Sequence, residues 1–263
     1  MPAARDRVAI VTGGGTGIGA ATASALASGG TKVIVTGRRQ EPLDEVADRI
    51  GGLAVVADVA EADDWNRVVA AAIEQFGGID ILVANAGIEA FGSAETVSLE
   101  EWRAVQRTNV EGVLLGIRAV APVMRARGGG SIAVVSSVAG LTSGPEYAAY
   151  VTSKTAVLGL VRSAAVDLGP DRIRVNAICP GWTRTEMSQR ETELLAAAQG
   201  VTAEELWSKL VAPLPLRRAA EPEEIAACIE FVTGPGSSFM TGTVVVADGG
   251  GSAVDVGTLG FSG

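Results

Sequence analysis

Short apolar runs alternate with helix-period segments along the whole chain. The runs are rich in Val and Ile and continuous rather than alternating, which is typical of parallel strands covered on both faces. The pattern predicts strands at residues 8–11, 32–36, 53–57, 79–84, 131–135, 173–177 and 243–246. Apolar residues recur at helical spacing between them. This spacing predicts helices at residues 18–28, 42–50, 62–76, 99–125, 150–168 and 222–231.

This alternation predicts an α/β fold: a doubly wound (Rossmann) seven-stranded parallel sheet with helices on both faces. No repeat or linker divides the chain, so we expect a single domain over residues 1–263. Residues 183–216 interrupt the rhythm with a polar helical stretch at 191–209, and we expect this insertion to cover a substrate as a lid. A glycine-rich tail follows at residues 251–263.

The first predicted strand runs into the glycine-rich loop TGGGTGIG at residues 12–19, and a helix follows. Glycines permit a sharp turn and let a pyrophosphate approach the helix N-terminus, where free N–H groups favour anions. The strand before and the helix after distinguish such a loop from an ordinary turn. We therefore expect Thr12, Gly13, Gly17, Ile18 and Gly19 to hold a dinucleotide.

The second predicted strand ends at Thr36-Gly37-Arg38-Arg39. A cofactor without a 2′-phosphate usually meets an acidic residue near this point, whereas an arginine suits the phosphate. Arg38 and Arg39 therefore favour NADP(H). NAD(H) is the alternative, since two arginines also solvate an exposed loop.

Tyr150 and Lys154 stand four residues apart at the start of a predicted helix, so their side chains share one face. A neighbouring ammonium favours the phenolate, so we expect Lys154 to lower the pKa of Tyr150 and make it a general acid/base. The alternative is a surface pair without function. The chain has only 2 tyrosines, and Tyr147 has Val151 at the same offset. Ser137, after the preceding strand, can hold a substrate oxygen near the phenol.

The chain has 0 histidines, which excludes Ser-His-Asp and Cys-His catalysis and every histidine-containing metal site. Two distant cysteines make no thiolate site, so we expect no metal. The net charge of −9 argues against nucleic acid or an anionic membrane as a partner. With no spanning apolar run and no signal-peptide pattern, we expect a cytoplasmic protein.

These residues, in this order, resemble the short-chain dehydrogenase/reductase family, in particular its members similar to 3-oxoacyl carrier-protein reductases. The glycine loop matches the family's cofactor loop. Further matches are Asp58 and Val59, Asn85-Ala86-Gly87, the tetrad Asn109, Ser137, Tyr150 and Lys154, then Pro180-Gly181 with Thr183 and Thr185, and Asp248-Gly249-Gly250. Two departures are Ala84 in place of a first asparagine and Thr183 in place of Val or Ile.

The resemblance implies hydride transfer between the nicotinamide C4 and the carbon of a ketone or secondary alcohol. Tyr150 would exchange the proton, and Lys154 would also hold the nicotinamide ribose. Ser137 would hydrogen-bond the substrate oxygen, and Asn109 would support a water that refills the proton.

The remaining cofactor contacts are implied by the resemblance as well. They come from Asp58 and Val59 at the adenine, Asn85, Ala86 and Gly87 beside the central sheet, and Pro180, Gly181, Thr183 and Thr185 at the carboxamide. The family also implies a homotetramer, with a dimer next.

The substrate is expected to be a small ketone or secondary alcohol. Trp182, Met187 and Trp207 are candidates for an apolar wall opposite the loop at residues 138–146, which suits a cyclic, aryl or acyl ketone. Three alternatives remain open: an NAD(H)-dependent alcohol dehydrogenase, a catalytically silent nucleotide-binding regulator, and another reaction on the same scaffold.

Overall fold

The computed structural model describes residues 7–255 and Gly257. The predictions for the start of the chain fall partly on residues 1–6, which lie outside the described residues. Those for the tail fall partly on residues 256 and 258–263, which lie outside them too.

One parallel sheet forms the centre of the molecule, with the strand order β3-β2-β1-β4-β5-β6-β7. The strands are β1 (Val8–Thr12), β2 (Lys32–Gly37), β3 (Leu53–Val56), β4 (Ile81–Ala84), β5 (Gly130–Val135), β6 (Ile173–Pro180) and β7 (Val244–Ala247). β1 lies between β2 and β4, pairing Ala9 with Val33 on one side and with Ile81 on the other. The order therefore reverses at β1, and a crevice opens beyond the carboxyl ends of β1 and β4. The predicted doubly wound fold is confirmed.

Helices cover both faces of the sheet. They are α1 (Gly17–Ser28), α2 (Gln40–Ile50), α3 (Ala62–Phe76), α4 (Leu99–Gln106), α5 (Gly112–Ala126), α6 (Ala148–Leu168), α7 (Glu186–Gln199), α8 (Ala203–Val211) and α9 (Pro222–Thr233). Trp65, Val120 and Val161 bring α3, α5 and α6 into one apolar layer. Leu26 and Ile229 bring α1 and α9 into the layer on the opposite face. Burial on both faces explains why the strands read as continuous apolar runs.

The single helix predicted at residues 99–125 is wrong in one respect. A π turn at Arg107–Glu111 separates α4 from α5. Such turns occur where tertiary contacts outweigh regular helical hydrogen bonds, and they are frequent at functional sites. Here the Asn109 side chain bonds to the backbone of Ile88 in another segment, and apolar periodicity carries no signal for that contact.

The polar helical stretch predicted at residues 191–209 is two helices, α7 and α8. Gly200 ends α7 in the left-handed conformation at φ 67°, which suits glycine. Thr202 and Glu205 then form a capping box that starts α8. β6 extends to Pro180, beyond the predicted end at 177, because it pairs with β5 and β7 at once.

Among residues 7–255, no helix combines the length and apolar content that crossing a bilayer requires.

Gly19 provides a test of how closely α1 packs against the glycine loop. A Cβ at this position would lie 2.1 Å from the Gly13 carbonyl oxygen and 2.7 Å from Asn85 Nδ2. We expect Gly19→Ala to lower the free energy of unfolding by about 3 kcal/mol, the upper end of what overpacking costs, because backbone must move. Urea denaturation followed by circular dichroism measures the change.

Gly159→Ala is the matched control, since Gly159 lies within α6 and a Cβ there would meet nothing within 4 Å. We expect this variant to gain about 0.5–1 kcal/mol, the usual effect of replacing a helical glycine with alanine. Equal stability of the two variants would contradict the packing described at Gly19.

Candidate active site

The residues predicted to bind a cofactor and substrate converge on the carboxyl edge of the sheet. A cleft of about 440 Å³ opens there. It is lined by the glycine loop, the segments that follow β4, β5 and β6, and the first turns of α6 and α7. Ligands bind at this position in open α/β sheets.

The glycine loop fits a dinucleotide pyrophosphate. Gly13 and Gly17 have φ of 62° and 52°, values that side-chain-bearing residues rarely adopt. Thr16 makes no side-chain cap to the first turn of α1, and no acidic residue occupies that turn. The unpaired N–H groups at this helix start therefore face the cleft without a competing anion. Ile18 lines the same end of the cleft, and Gly19 packs behind it.

Thr12 and Asn85 join the glycine loop to the segment after β4. Thr12 Oγ1 accepts the N–H groups of Asn85 and Ala86, each at 3.0 Å. Asn85 Nδ2 donates to the Thr12 carbonyl at 2.9 Å and to the Gly13 carbonyl at 3.3 Å. These two residues set the position of the loop that lines the cleft.

Tyr150, Lys154 and Ser137 come together as predicted. Tyr150 lies in the first turn of α6, and Lys154 Nζ lies 5.5 Å from the centre of its ring. The Lys154 side chain is only 6% exposed, and its Nζ donates to the Val135 carbonyl at 2.9 Å. Ser137 follows β5 and hydrogen-bonds the Tyr150 hydroxyl. Gly87 completes the cluster, since a Cβ there would lie 3.4 Å from Lys154 Nζ.

The expected depression of the Tyr150 pKa is wrong for this protein. Burial, together with the charge of Glu89, raises the pKa of Tyr150 to about 12, against the opposing hydrogen bond from Ser137. Burial likewise lowers the pKa of Lys154 to about 8. Desolvation dominates both shifts because burial penalises the charged form of each group. The phenol is therefore neutral at neutral pH and holds a proton that it can donate.

Asn109 lies in the π turn and is 2% exposed. Its Oδ1 accepts from the Ile88 N–H at 2.8 Å, and its Nδ2 donates to the Ile88 carbonyl at 2.8 Å and to Ser153 Oγ at 2.9 Å. Ser153 in turn donates to the Tyr150 carbonyl at 2.7 Å. The Asn109 side chain therefore ties the segment after β4 to the turn that carries Tyr150. Its role in supporting a water stays a prediction.

Pro180, Gly181, Thr183 and Thr185 line the cleft on the side of β6. Gly181 packs tightly, since a Cβ there would lie 2.8 Å from the Asp248 Cα. Thr183 Oγ1 donates to the Gly181 carbonyl at 3.1 Å. Thr185 is the N-cap residue of α7, and its side chain accepts a hydrogen bond from the Ser188 N–H.

Six of the predicted cofactor residues do not line the cleft. Two of them are Thr12 and Gly19, which pack behind the rest of the glycine loop, and the other four follow β2 and β3. Arg38 is exposed and makes no hydrogen bond or ion pair with any residue that the structure describes. Arg39 pairs with Glu186 at 3.0 Å. Asp58 accepts the Ala60 N–H at 2.9 Å, and Val59 is buried.

The structure separates the three candidate substrate contacts. Trp182 and Met187 line the cleft. Trp207 is 4% exposed and lies behind Trp182, with ring centres 5.7 Å apart and planes at 80°. The Arg184 guanidinium covers the Trp207 ring at 5.0 Å. Trp207 therefore holds Trp182 in place and does not line the cleft.

Three acidic residues line the cleft that the sequence did not predict there: Glu89, Glu186 and Glu191. Glu89 directly follows Asn85-Ala86-Gly87-Ile88. Because that motif was predicted to lie at the cofactor, its proximity in sequence could have placed Glu89 near the cleft. Glu191 belongs to the buried face of α7. Its charged side chain is typical of an exposed helix position, so the sequence carried no sign of its burial. No group of three or more His, Cys, Asp or Glu within the described chain is arranged to hold a metal ion.

Comparison with known proteins identifies the family to which this chain belongs. The profile of a family described as "Enoyl-(Acyl carrier protein) reductase" matches residues 13–252. Dehydrogenase/reductase SDR family member 4 of Homo sapiens is 37% identical over 257 residues, covering 93% of this chain and 87% of that protein. The chain belongs to the short-chain dehydrogenase/reductase family.

This short-chain dehydrogenase/reductase has relatives with named substrates. Trans-4-hydroxycyclohexanecarboxylate dehydrogenase of Sinomonas cyclohexanicum is 37% identical over 259 residues, covering 94% of this chain and 93% of that protein. The crystal structure of levodione reductase superposes with a TM-score of 0.91 at 33% identity, covering 95% of this chain and 99% of that one. The predicted family and class, an NAD(P)-dependent oxidoreductase, are confirmed.

Lys154→Met tests whether the buried ammonium is held at a cost to stability. At pH 7 we expect the free energy of unfolding of the variant to equal or exceed that of the unsubstituted protein, by up to about 3 kcal/mol. This range follows from the lowered pKa of Lys154, because each unit of pKa shift corresponds to about 1.4 kcal/mol. Urea denaturation provides the measurement.

The pH dependence of this difference has a defined sign. The pKa of Lys154 is about 8 in the folded protein against an ordinary value of 10.5. The unfolded chain therefore binds more protons between these values, and the unsubstituted protein gains stability relative to the variant as pH rises through this window. A variant that is less stable at pH 7 would show that the hydrogen bond to Val135 outweighs desolvation.

Proposed function

We propose that this short-chain dehydrogenase/reductase is an NADP(H)-dependent ketoreductase that interconverts a ketone and a secondary alcohol, with Tyr150 as general acid/base. The observation that carries the proposal is the cluster of Tyr150, Ser137 and the buried Lys154 in the cleft that the glycine loop also lines. The fold alone does not require these three side chains to meet. Their convergence supports chemistry at a carbonyl oxygen.

The residues divide the work of reduction among themselves. The bound cofactor supplies the hydride to the carbonyl carbon. The Ser137 hydroxyl donates a hydrogen bond to the substrate oxygen and stabilises the negative charge that develops there. Tyr150 transfers its phenolic proton to that oxygen, forming the alcohol. The Lys154 ammonium stabilises the resulting phenolate, which regains a proton before the next turnover.

The protonation state of the phenol supports reduction as the direction at neutral pH. A Tyr150 with a pKa of about 12 carries the proton that reduction consumes. Alcohol oxidation needs the phenolate, so in this proposal it improves as pH rises.

Arg38 supports NADP(H) as the preferred cofactor. Its guanidinium has no partner among the described residues, whereas Arg39 is engaged with Glu186. A free guanidinium at the end of β2 suits a 2′-phosphate. The Arg39–Glu186 pair supports NAD(H) as the second candidate, because it engages one of the two arginines and places a carboxylate near the end of β2.

A cyclic or aryl ketone is the substrate class that we propose. Trp182 and Met187 give the cleft a flat apolar wall, and Trp207 fixes Trp182 from behind. A relative named for a hydroxycyclohexanecarboxylate supports the same class.

Tyr150→Phe tests the proposed chemistry. We expect the purified protein to oxidise NADPH in the presence of cyclic and aryl ketones, and the variant to lose about 10³-fold in kcat/KM, the scale of general acid catalysis. Absorbance of NADPH at fixed ketone concentration gives the rates. Tyr147→Phe is the matched control, with an expected change below about tenfold, because Val151 rather than a lysine lies one helical turn after it.

The outcomes distinguish the alternatives. Full activity in Tyr150→Phe would remove Tyr150 from the reaction. Absence of turnover with NADPH and NADH on every ketone and alcohol, with either nucleotide still bound, would favour a silent nucleotide-binding protein. Turnover without net cofactor consumption would favour another reaction on the same scaffold.

Arg38→Ala tests the cofactor preference. We expect kcat/KM for NADPH to fall about 10–100-fold, the value of a charge-assisted hydrogen bond to phosphate, and kcat/KM for NADH to change by less than about threefold. Arg49→Ala, at the far end of α2, is the control for lost surface charge. An unsubstituted protein that prefers NADH would contradict the role assigned to Arg38.

A further inference from the structure

Three carboxyl groups line the cleft. Glu186 is paired with Arg39, and the proposed carbonyl chemistry uses neither of the other two. Glu89 comes from the segment after β4, and Glu191 comes from the lid helix α7 on the other side of the opening. The two acids lie close enough to interact electrostatically, and Glu89 also interacts with Tyr150. Met187, an apolar neighbour, lies one helical turn before Glu191 on α7.

The Glu191 side chain is buried, and one of its carboxyl oxygens has no hydrogen-bond partner among the described residues. The side chain is 6% exposed, and the unpartnered oxygen is Oε1. Neighbouring polar side chains on the same face of α7 are satisfied within the helix region: Ser188 donates to the Thr183 carbonyl at 2.6 Å and Thr192 to the Ser188 carbonyl at 2.6 Å. A buried polar atom without a partner costs stability, so it calls for an explanation in function.

Within the described chain, the charges around Glu89 and Glu191 leave the two carboxyls without a directly paired cation. Burial raises the pKa of Glu89, with opposition from Arg190 and Lys154. Burial and the charge of Glu89 raise the pKa of Glu191 to about 7. Arg190 is exposed and lies 3.4 Å from Glu186, so it does not neutralise Glu191 directly. The two carboxyls thus disfavour each other's ionisation, and a positive group between them would relieve both.

We propose that Glu89 and Glu191 form a subsite that binds a protonated amine carried by the ketone substrate. This inference rests on the ketoreductase function proposed above and specifies its substrate. An ammonium brings hydrogen-bond donors to the unpartnered Oε1 and a charge that favours both carboxylates. The apolar wall of Trp182 and Met187 accommodates the carbon frame that links the amine to the carbonyl. An anionic substrate is disfavoured, because its charge would face two acids in a desolvated site.

Matched ketones separate charge from shape. 4-(Dimethylamino)cyclohexanone is cationic at pH 7, and 4-isopropylcyclohexanone has the same frame without the charge. 4-Hydroxycyclohexanone offers a neutral donor, and 4-oxocyclohexanecarboxylate offers an anion. With NADPH in excess, we expect kcat/KM for the amino ketone to exceed that for the isopropyl ketone by about tenfold or more, the scale of a charge-assisted hydrogen bond in a desolvated site. The carboxylate should be the poorest substrate of the four.

Glu191→Gln keeps the size of the side chain and removes its charge. We expect this variant to lower the ratio of the two kcat/KM values to about two or less, because the neutral amide can accept a hydrogen bond but forms no ion pair with the ammonium. Glu193→Gln removes an equal charge from an exposed position on the same helix and should retain the ratio of the unsubstituted protein. Glu89→Gln should lower the ratio as Glu191→Gln does.

Three results would overturn the proposal while leaving the ketoreductase function intact. They are equal kcat/KM for the amino and isopropyl ketones, preference for the hydroxy or carboxylate ketone, and an unchanged ratio in Glu191→Gln.

A binding measurement keeps the two proposals distinguishable. If no ketone is reduced, the ketoreductase function fails and the subsite is tested by calorimetry on the protein saturated with NADP⁺. Binding of 4-(dimethylamino)cyclohexanol about tenfold tighter than 4-isopropylcyclohexanol, and lost in Glu191→Gln, would support the amine subsite. Equal affinities for the two alcohols would overturn it.

Discussion

The hydrogen bond from the Lys154 ammonium to the Val135 carbonyl is the contact on which the site depends. It holds a buried charge at the end of a central strand, where a rigid sheet limits relaxation. Ser136 Oγ donates to the Lys154 carbonyl at 2.7 Å, so the same turn of α6 is tied to the end of β5 twice. Burying an ammonium costs stability. Here the buried charge lies beside Tyr150 and Ser137, where in the proposed reaction it would stabilise a negatively charged oxygen.

A second constraint is the close approach of backbone segments around the crevice. The turn at Gly13 packs against the start of α1 at Gly19, and both contact Asn85 after β4. The resulting cradle leaves the first N–H groups of α1 open to an anion. The glycine loop and the cluster of Tyr150, Lys154 and Ser137 are thus built beside adjacent strand ends, and the sheet holds their relative positions.

The insertion at residues 183–216 contributes charged as well as apolar side chains to the cleft. Glu186 at the start of α7 pairs with Arg39 beside β2, and Glu191 on the same helix places a carboxyl at the cleft. The apolar wall from Trp182 has its support inside the insertion, in Trp207. In the proposed function, substrate selection therefore depends on a segment whose sequence is polar but which carries a buried acid, Glu191. A polar sequence of this kind resembles an exposed surface, so its acidic cleft residues were not predicted.

By itself the sequence determined the sheet, the layers and the meeting of Tyr150 with Lys154, because these depend on local and periodic signals. Val- and Ile-rich runs, the glycine loop and the Tyr150/Lys154 spacing are all readable along the chain. The tertiary structure decided what depends on neighbours distant in sequence. It introduced the π turn through the contact of Asn109 with Ile88, moved Trp207 behind Trp182, and brought Glu89 and Glu191 to one cleft. It also reversed the expected pKa shift of Tyr150, since desolvation is a property of the assembled site and no spacing of residues encodes it.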